Sequence, residues 1–398
     1  YDGAGPAVDG LLPADAAGRY RGDDFYGALS LSDVGRQGSG RLGVGVLIDV
    51  SGDDTYTSLR MSQGYGHLGV GLLYDADGDD TYAGEAGVQG AASMGIGLLL
   101  DAAGSDDYSA FTLAQGAAFV QAVGIASDGG GDDRWFTDPG DPELGGHPVF
   151  YSAQRAGRAN TSFAQGAARG LRDDGGRTWL SGGLGWLDDA AGDDVYVAST
   201  FAQGSAYWQS TGWLVDGDGA DTFDALYYTQ GGGAHYSVCA LYDAGLGGDA
   251  VNAAFGAGSV QLGSGHDFTV GMFVNDAGDD TYALGGLGGG VGNCQGVGVF
   301  VDGDGTDAYT ANNPASAGAA QHSGECSSAE RTRAPTVGLF VDAGGDVDAW
   351  SWTAEGRPAP TNDASFGFTG GGLDGEHGGA VDGDGDPGLR AAWPTRSP

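Results

Sequence analysis

Carboxylates are the chemistry this chain has most of. The stretch LLYDADGDDTYAG (72–84) places Asp75, Asp77, Asp79 and Asp80 within six positions, with no base among them. Oxygen donors this dense in a glycine-containing loop suit a hard cation, since calcium takes about six to eight oxygens from Asp carboxylates and backbone carbonyls. A single copy needs no metal, because Asp and Gly are the ordinary residues of tight turns and an Asp side chain can cap backbone amides.

The phrase is not single. It recurs as GVGVLIDVSGDDTY (43–56), GVGLLYDADGDDTY (69–82), GIGLLLDAAGSDDY (95–108), VGIASDGGGDDRW (123–135), GLGWLDDAAGDDVY (183–196) and GWLVDGDGADTF (212–223). It continues as CALYDAGLGGDAV (239–251), VGMFVNDAGDDTY (270–282), GVGVFVDGDGTDAY (296–309) and VGLFVDAGGDVDAW (337–350). Asp49, Asp75 and Asp101 are 26 apart, as are Gln63, Gln89 and Gln115. RGDDFY (21–26) and AVDGDGD (380–386) read as partial first and last copies, and about eleven units cover nearly the whole chain.

Composition narrows the class. Among 398 residues, 82 Gly with 40% hydrophobic content is too glycine-rich for a helical protein and too apolar for a disordered one. The formal charge is −38, all 16 bases are Arg, and none lies between Arg177 and Arg331, where 19 acids do. Internal ion pairs cannot balance that stretch, and nucleic acid is excluded as a partner. No apolar run approaches the roughly 20 residues of a membrane helix, so no membrane span is expected. Cys239, Cys294 and Cys326 allow one bridge with one thiol left over and fit no zinc or redox motif. The chain opens at Tyr1 without Met, from which we expect an exported protein, secreted or at the cell surface.

A 26–27-residue unit without helical pattern suits one coil of a solenoid. The expected fold is all-β: a parallel β-solenoid (β-helix) of about eleven 26–27-residue coils. An N-terminal cap and partial first coil would occupy 1–42, the repeats 43–386 and a C-terminal tail 387–398, with surface insertions near 136–163 and 310–333. VGVGVLID is one strand and TYTSLR a second, DxxGxD turns between them, and QG begins the next corner. Leu47, Leu73, Leu99, Leu187, Leu214, Phe273, Phe300 and Phe340, two before the marked Asp or Asn275, form the candidate inner stack. Alternate positions (Val46, Leu72, Leu98, Trp186, Trp213, Met272, Val299) are apolar too, so a second sheet or a neighbouring molecule should cover that face.

Stacked coils stand about 4.8 Å apart, so equivalent Asp residues form columns of like charge, each neighbouring pair repelling by about 1 kcal/mol in water and several at lower dielectric. Something positive must sit there, and we expect several Ca2+ ions. The candidate ligands are Asp49, Asp75, Asp101, Asp128, Asp189, Asp216, Asp243, Asp302 and Asp342 at the first acid, Asp133 at the second, and Asp77, Asp218 and Asp304 of the DGDG-type copies. The half-motif Gly-x-Asp-x-apolar, as in GDDTY (52–56, 78–82, 278–282), GSDDY, GDDVY, GADTF, GGDAV and GTDAY, resembles half of the calcium-binding nonapeptide of RTX (repeat-in-toxin) β-rolls. The resemblance covers the loop, with Asp49, Asp75 and Asp101 replacing the family's leading Gly, and implies Ca2+ ligation by Asp54, Asp80, Asp106, Asp194, Asp221, Asp249, Asp280 and Asp307.

The column Tyr56, Tyr82, Tyr108, Trp135, Tyr196, Phe223, Tyr282, Tyr309, Trp350 reads as packing at a corner, with a carbohydrate-stacking stripe as the alternative. The Gln column reads as a stacked amide ladder. His147 with Arg155 and Arg158 is the best place for an enzyme site on an acidic polysaccharide, yet no paired base and nucleophile is legible and no catalysis is expected. The expected function is an extracellular, calcium-stabilised structural protein that self-associates, head to tail, into a fibre or surface layer. A monomeric glycan-binding adhesin and a β-helical polysaccharide-active enzyme are the alternatives.

Overall fold

A computed structural model describes residues 36–352 except 145, 148–149, 151, 153–158, 176–179, 312, 314–315, 323–325, 327, 329–330 and 346, and then strands Ala364–Phe368 and Glu376–Gly383. RGDDFY (21–26), most of the 1–42 segment and the 387–398 tail lie outside the described residues.

The chain is an all-β parallel solenoid. One coil consists of Gly66–His67, Val70–Tyr74 and Thr81–Ala83, so QG leads into a third, two-residue strand that the sequence did not announce. Equivalent strands stack into parallel sheets of ten, twelve and ten strands. In the twelve-stranded sheet the last parallel strand, Glu376–Gly383, is in turn paired antiparallel by Ala364–Phe368. Residues 380–383 of the closing AVDGDGD copy keep register, with Phe340 opposite Ala380 and Asp342 opposite Asp382.

Register repeats type on type, because each coil has the same length to the turn. Leu47 pairs with Leu73, Leu73 with Leu99, and Phe273 with Phe300. Leu73, Leu99, Leu187, Leu214, Phe273, Phe300 and Phe340 are fully buried, as the inner stack requires. The aromatic column faces them: Tyr56, Tyr82 and Tyr108 stack at 4.9 and 4.8 Å with rings nearly parallel. Because Tyr82, Tyr108, Trp135, Tyr196, Phe223, Tyr282 and Tyr309 have no exposed surface, that column is core and offers no sugar platform.

The Gln amides do not form a ladder among themselves. Gln63 Nε2 donates to the carbonyls of Tyr56 (2.7 Å) and Ala83 (3.1 Å), tying its own coil to the next, and Gln89 and Gln115 repeat this. Where the column loses Gln and reads Leu262, Gly289 and Ala317, the inner residue of the same coil changes from Leu to Phe273, Phe300 and Phe340. At Gly289 and Ala317 the larger ring takes the volume the amide leaves, as close packing demands.

The coil is thin because glycine lets backbone touch backbone. Gly212 faces the corner so closely that a Cβ would lie 2.1 Å from the Ser205 carbonyl oxygen. Its column runs Gly185, Gly212, Cys239, Gly271. Cys239 is tolerated because Gly233 stands opposite, where a Cβ would meet its sulfur at 2.2 Å; the matching position holds Ala118, Ala168 and Ala206 in the coils before it and Gly265 and Gly292 in those after it. On the outward side of the long strands, Trp186 and Trp213 stack at 5.5 Å and Ile96 keeps 41% of its surface exposed. Every described strand belongs to the three sheets or to the corner pair Thr161–Ala164 and Thr200–Ala202, so the expected cover for this face is not one of them.

The first insertion is divided in two. Arg134–Thr137 still belongs to its sheet, the excursion follows it, and a second one separates Ala168–Arg169 from Leu184–Asp188. The later insertion leaves at the same corner, between Ala320–Gln321 and Thr336–Ala343.

Gly233→Ala should lower stability by about 1–3 kcal/mol through overpacking against the Cys239 sulfur. Adding Cys239→Gly should restore it, since Ala with Gly is the arrangement of the preceding coil, Ala206 with Gly212; denaturant melts of the two variants measure this, and an unrescued double variant refutes the pairing.

Candidate metal centre

Two acids of each turn point inward and form one zigzag row. Gly78, with φ +150°, bends the turn so closely over the preceding coil that a Cβ would lie 1.9 Å from the Gly52 carbonyl oxygen. This places Asp75 and Asp80 on the buried side and leaves Asp77 and Asp79 exposed. Oxygens of Asp49, Asp54 and Asp75 lie within 4.8 Å of one another, as do those of Asp80, Asp101 and Asp106. The same holds for Asp106, Asp128 and Asp133, for Asp133, Asp189 and Asp194, and for Asp194, Asp216 and Asp221. Asp243, Asp249, Asp280, Asp302, Asp307 and Asp342 are buried at the matching positions. Asp218 is exposed like Asp77, and Asp304 is half-buried, so these DGDG acids sit at the turn apex and not in the buried row.

Backbone amides hold one oxygen of each second acid. The Asp54 N–H donates to Asp80 Oδ1 at 2.6 Å, Asp80 to Asp106, Asp106 to Asp133, and so on through Asp194, Asp221, Asp249, Asp280 and Asp307 to Asp348. The sequence pattern misses Asp348 because Asp346 stands two before it, where the Gly-x-Asp half-motif of the other copies has Gly.

The first acid is held differently. In Asp49, Asp75, Asp101, Asp128 and Asp243 its Oδ1 caps its own turn, as Asp75 does for the Ala76 N–H at 2.8 Å. Its Oδ2 accepts from the aromatic residue one coil back: Tyr56 to Asp75, Tyr82 to Asp101, Tyr108 to Asp128, Tyr196 to Asp216 and Tyr282 to Asp302, all at 2.5–2.6 Å, and Trp135 Nε1 to Asp189 at 2.7 Å. The aromatic column is therefore also a donor column, and its preference for Tyr and Trp over Phe was the available signal. Phe223 has no polar tip, and the Asp243 Oδ2 ahead of it accepts no hydrogen bond.

Other oxygens face carboxylates with no donor at all. They include Oδ2 of Asp133, Asp194, Asp221 and Asp307 and Oδ1 of Asp189, Asp216 and Asp302. Burial, and after it the neighbouring acids, pushes Asp133 up to about 10. Burial is likewise the largest cause raising Asp106 to about 8, Asp194 to about 9, Asp307 to about 8, and Asp80, Asp189, Asp221 and Asp280 to about 7. Asp216, Asp243 and Asp302 are driven well above the ordinary carboxylate range by the same cause. A row so arranged takes up either protons or cations.

The insertions build something else. His147 Nδ1 lies 3.0 Å from Oδ2 of Asp138, whose Oδ1 accepts the Gly140 and His147 N–H groups, so this pair closes a loop. No second carboxylate is bonded to His147 among the described residues, and Arg155 and Arg158 lie outside them. Arg172 and Arg331, one from each corner insertion, meet at a site that the sequence did not suggest, because no His recurs in the unit. Arg172 donates to the Tyr207 hydroxyl (2.9 Å) and His235 Nε2 (3.1 Å), His235 Nδ1 lies 2.8 Å from Asp267, and Arg331 pairs with Asp267. Burial first, then Arg172, lowers His235 to about 4, so a neutral ring links the two loops. Cys294 and Cys326 form the disulfide that pins the second insertion, and Cys239 is a buried thiol.

No protein family model matches the chain, and neither a curated protein nor a solved structure matches it.

Raised carboxyl pKa values stabilise the fold below the unfolded value of about 4 and lose that contribution as pH rises through the folded values. In chelator, the melting temperature should therefore fall from pH 5 to pH 9, across the range from about 7 for Asp80 to about 10 for Asp133. A flat or rising profile in differential scanning calorimetry contradicts protonation of the row.

Proposed function

We propose that this chain is an extracellular, calcium-stabilised β-solenoid with a structural role, self-associating into a fibre or surface layer. One observation carries the reading: Asp194, Asp216 and Asp221 share one triad, and the buried oxygens Asp194 Oδ2, Asp216 Oδ1 and Asp221 Oδ2 accept no hydrogen bond. Unbonded, like-charged oxygens buried together cost several kcal/mol, and the interaction that removes that cost at neutral pH is a cation.

Size and charge fit calcium. Two oxygens on opposite sides of Ca2+ stand about 4.6–5.2 Å apart, and those of each triad lie within 4.8 Å. Asp106, Asp133 and Asp194 are each shared by two triads, so a regular coil brings two buried carboxylates and one divalent ion per interval balances them. Asp80, Asp101, Asp106, Asp128, Asp133, Asp189, Asp194, Asp216 and Asp221 are the ligands of this reading, with Asp49, Asp54 and Asp75 at the first end. Loop chemistry of the RTX kind is consistent with it. Export is supported by the Cys294–Cys326 bridge, which belongs in an oxidising compartment.

Self-association is supported by the outer face of the long-strand sheet. Ten rungs at about 4.8 Å and three outward columns about 14 Å wide make roughly 650 Å2 per copy, or about 1,300 Å2 for a facing pair, within the range of specific interfaces. Among the described residues Val44–Ile48 is the end strand of its sheet, and such an edge suits head-to-tail pairing.

Chelation should lower the melting temperature at pH 7.5 by at least about 10 °C relative to excess Ca2+, because each site at a hundredfold excess over Kd contributes about 2.7 kcal/mol. Equal melting temperatures refute the calcium reading. In sedimentation velocity, the wild type should associate with rising concentration and Trp213→Glu should remain monomeric at the same secondary-structure content; a wild type that stays monomeric throughout refutes the lateral contact.

A further inference from the structure

We propose that Asn275 interrupts the cation row: its side-chain amide stands where the other coils place an ion, so one interval holds none and the ions form two separate groups. This rests on the calcium reading above. Asn275 occupies the first-acid position, paired in register with Asp243 on one side and Asp302 on the other. Its Nδ2 donates to Asp249 Oδ2 at 2.9 Å and to Asp280 Oδ2 at 2.8 Å. At Asp221 and Asp307, Oδ2 is the atom left without a donor. One uncharged NH2 group thus supplies two hydrogen bonds to the two carboxylates that a cation bridges elsewhere.

A second change in the preceding coil fits the first. The aromatic donor that serves the first acid from one coil back is Val251 here, so no hydroxyl of the preceding coil reaches position 275. A carboxylate at 275 would face Asp249 and Asp280 with no donor from the preceding coil, the nearby Tyr282 hydroxyl being given to Asp302. Asn removes one negative charge and brings its own donors, and its Oδ1 lies 3.3 Å from the Ala277 N–H, turned back to the turn. The Tyr282 hydroxyl closes the site, 3.0 Å from Nδ2 and 2.6 Å from Asp302 Oδ2. Ions bound from Asp49 through Asp221 are therefore separated from those held by Asp280, Asp302 and Asp307.

Bound calcium per chain, counted by plasma mass spectrometry after equilibration in Ca2+ and desalting, tests this. Asn275→Asp should bind one ion more than the wild type, and Asp302→Asn, which copies the arrangement one coil later, one fewer. Equal counts for wild type and Asn275→Asp overturn the interruption while leaving the calcium reading intact; a wild-type count of zero overturns both. Should Asn275→Asp fail to fold, hydrogen exchange on the wild type decides. Chelator should deprotect the amides of Asp133 and Asp194 while that of Asp249, which donates to Asp280 Oδ1, stays protected. Loss of protection at Asp249 to the same extent overturns the proposal.

Discussion

Stacking each coil one ladder step above the last, about 4.8 Å, is the constraint from which the rest of this structure follows. It sets every side chain on its own counterpart. For leucine, tyrosine and glycine this is favourable: rings stack, branched chains interlock and bare backbones approach. For aspartate it is unfavourable, and the molecule places two buried acids on most rungs. Both consequences come from one geometry, so the core and the acidic row cannot be varied separately.

The acids are made bearable by partners drawn from elsewhere on the coil. One oxygen of each second acid is bound by a backbone amide, and most first acids by an aromatic donor one coil back. What remains unbonded lies on the triads. The aromatic column thus works twice, filling the core and orienting the carboxylates, which leaves their remaining oxygens aimed at one another. This is the division of labour expected of a hard-cation site in which ligands are held before the ion arrives.

Departures from the repeat come in matched pairs. Cys239 is answered by Gly233, Phe300 by Gly289, and Asn275 by Val251. Each pair conserves volume or hydrogen bonding within a thin coil that has no slack to absorb a single change. The insertions obey the same economy at the corner, where Arg172 and Arg331 reach a stretch otherwise without bases and meet there through His235 and Asp267. With Asp174, which pairs with Arg172 at 3.0 Å, that network is charge-balanced, so it ties loops to the solenoid.

Repetition made the fold legible in the sequence. The 26-residue spacing of Asp49, Asp75 and Asp101 dictates coil length, and coil length dictates parallel register, so Leu73, Leu99 and Phe300 could be placed in the core without coordinates. The acidic row was legible for the same reason, down to the contrast between buried Asp80 and exposed Asp79. What the sequence could not assign was direction. Whether Asp77 turns inward, whether Gln63 bonds to its neighbour or to backbone, and that Tyr196 reaches Asp216 depend on where side chains point across a coil. Spacing along the chain carries no such information, because the atoms that meet there are about 20 residues apart and are brought together only when one coil closes on the next.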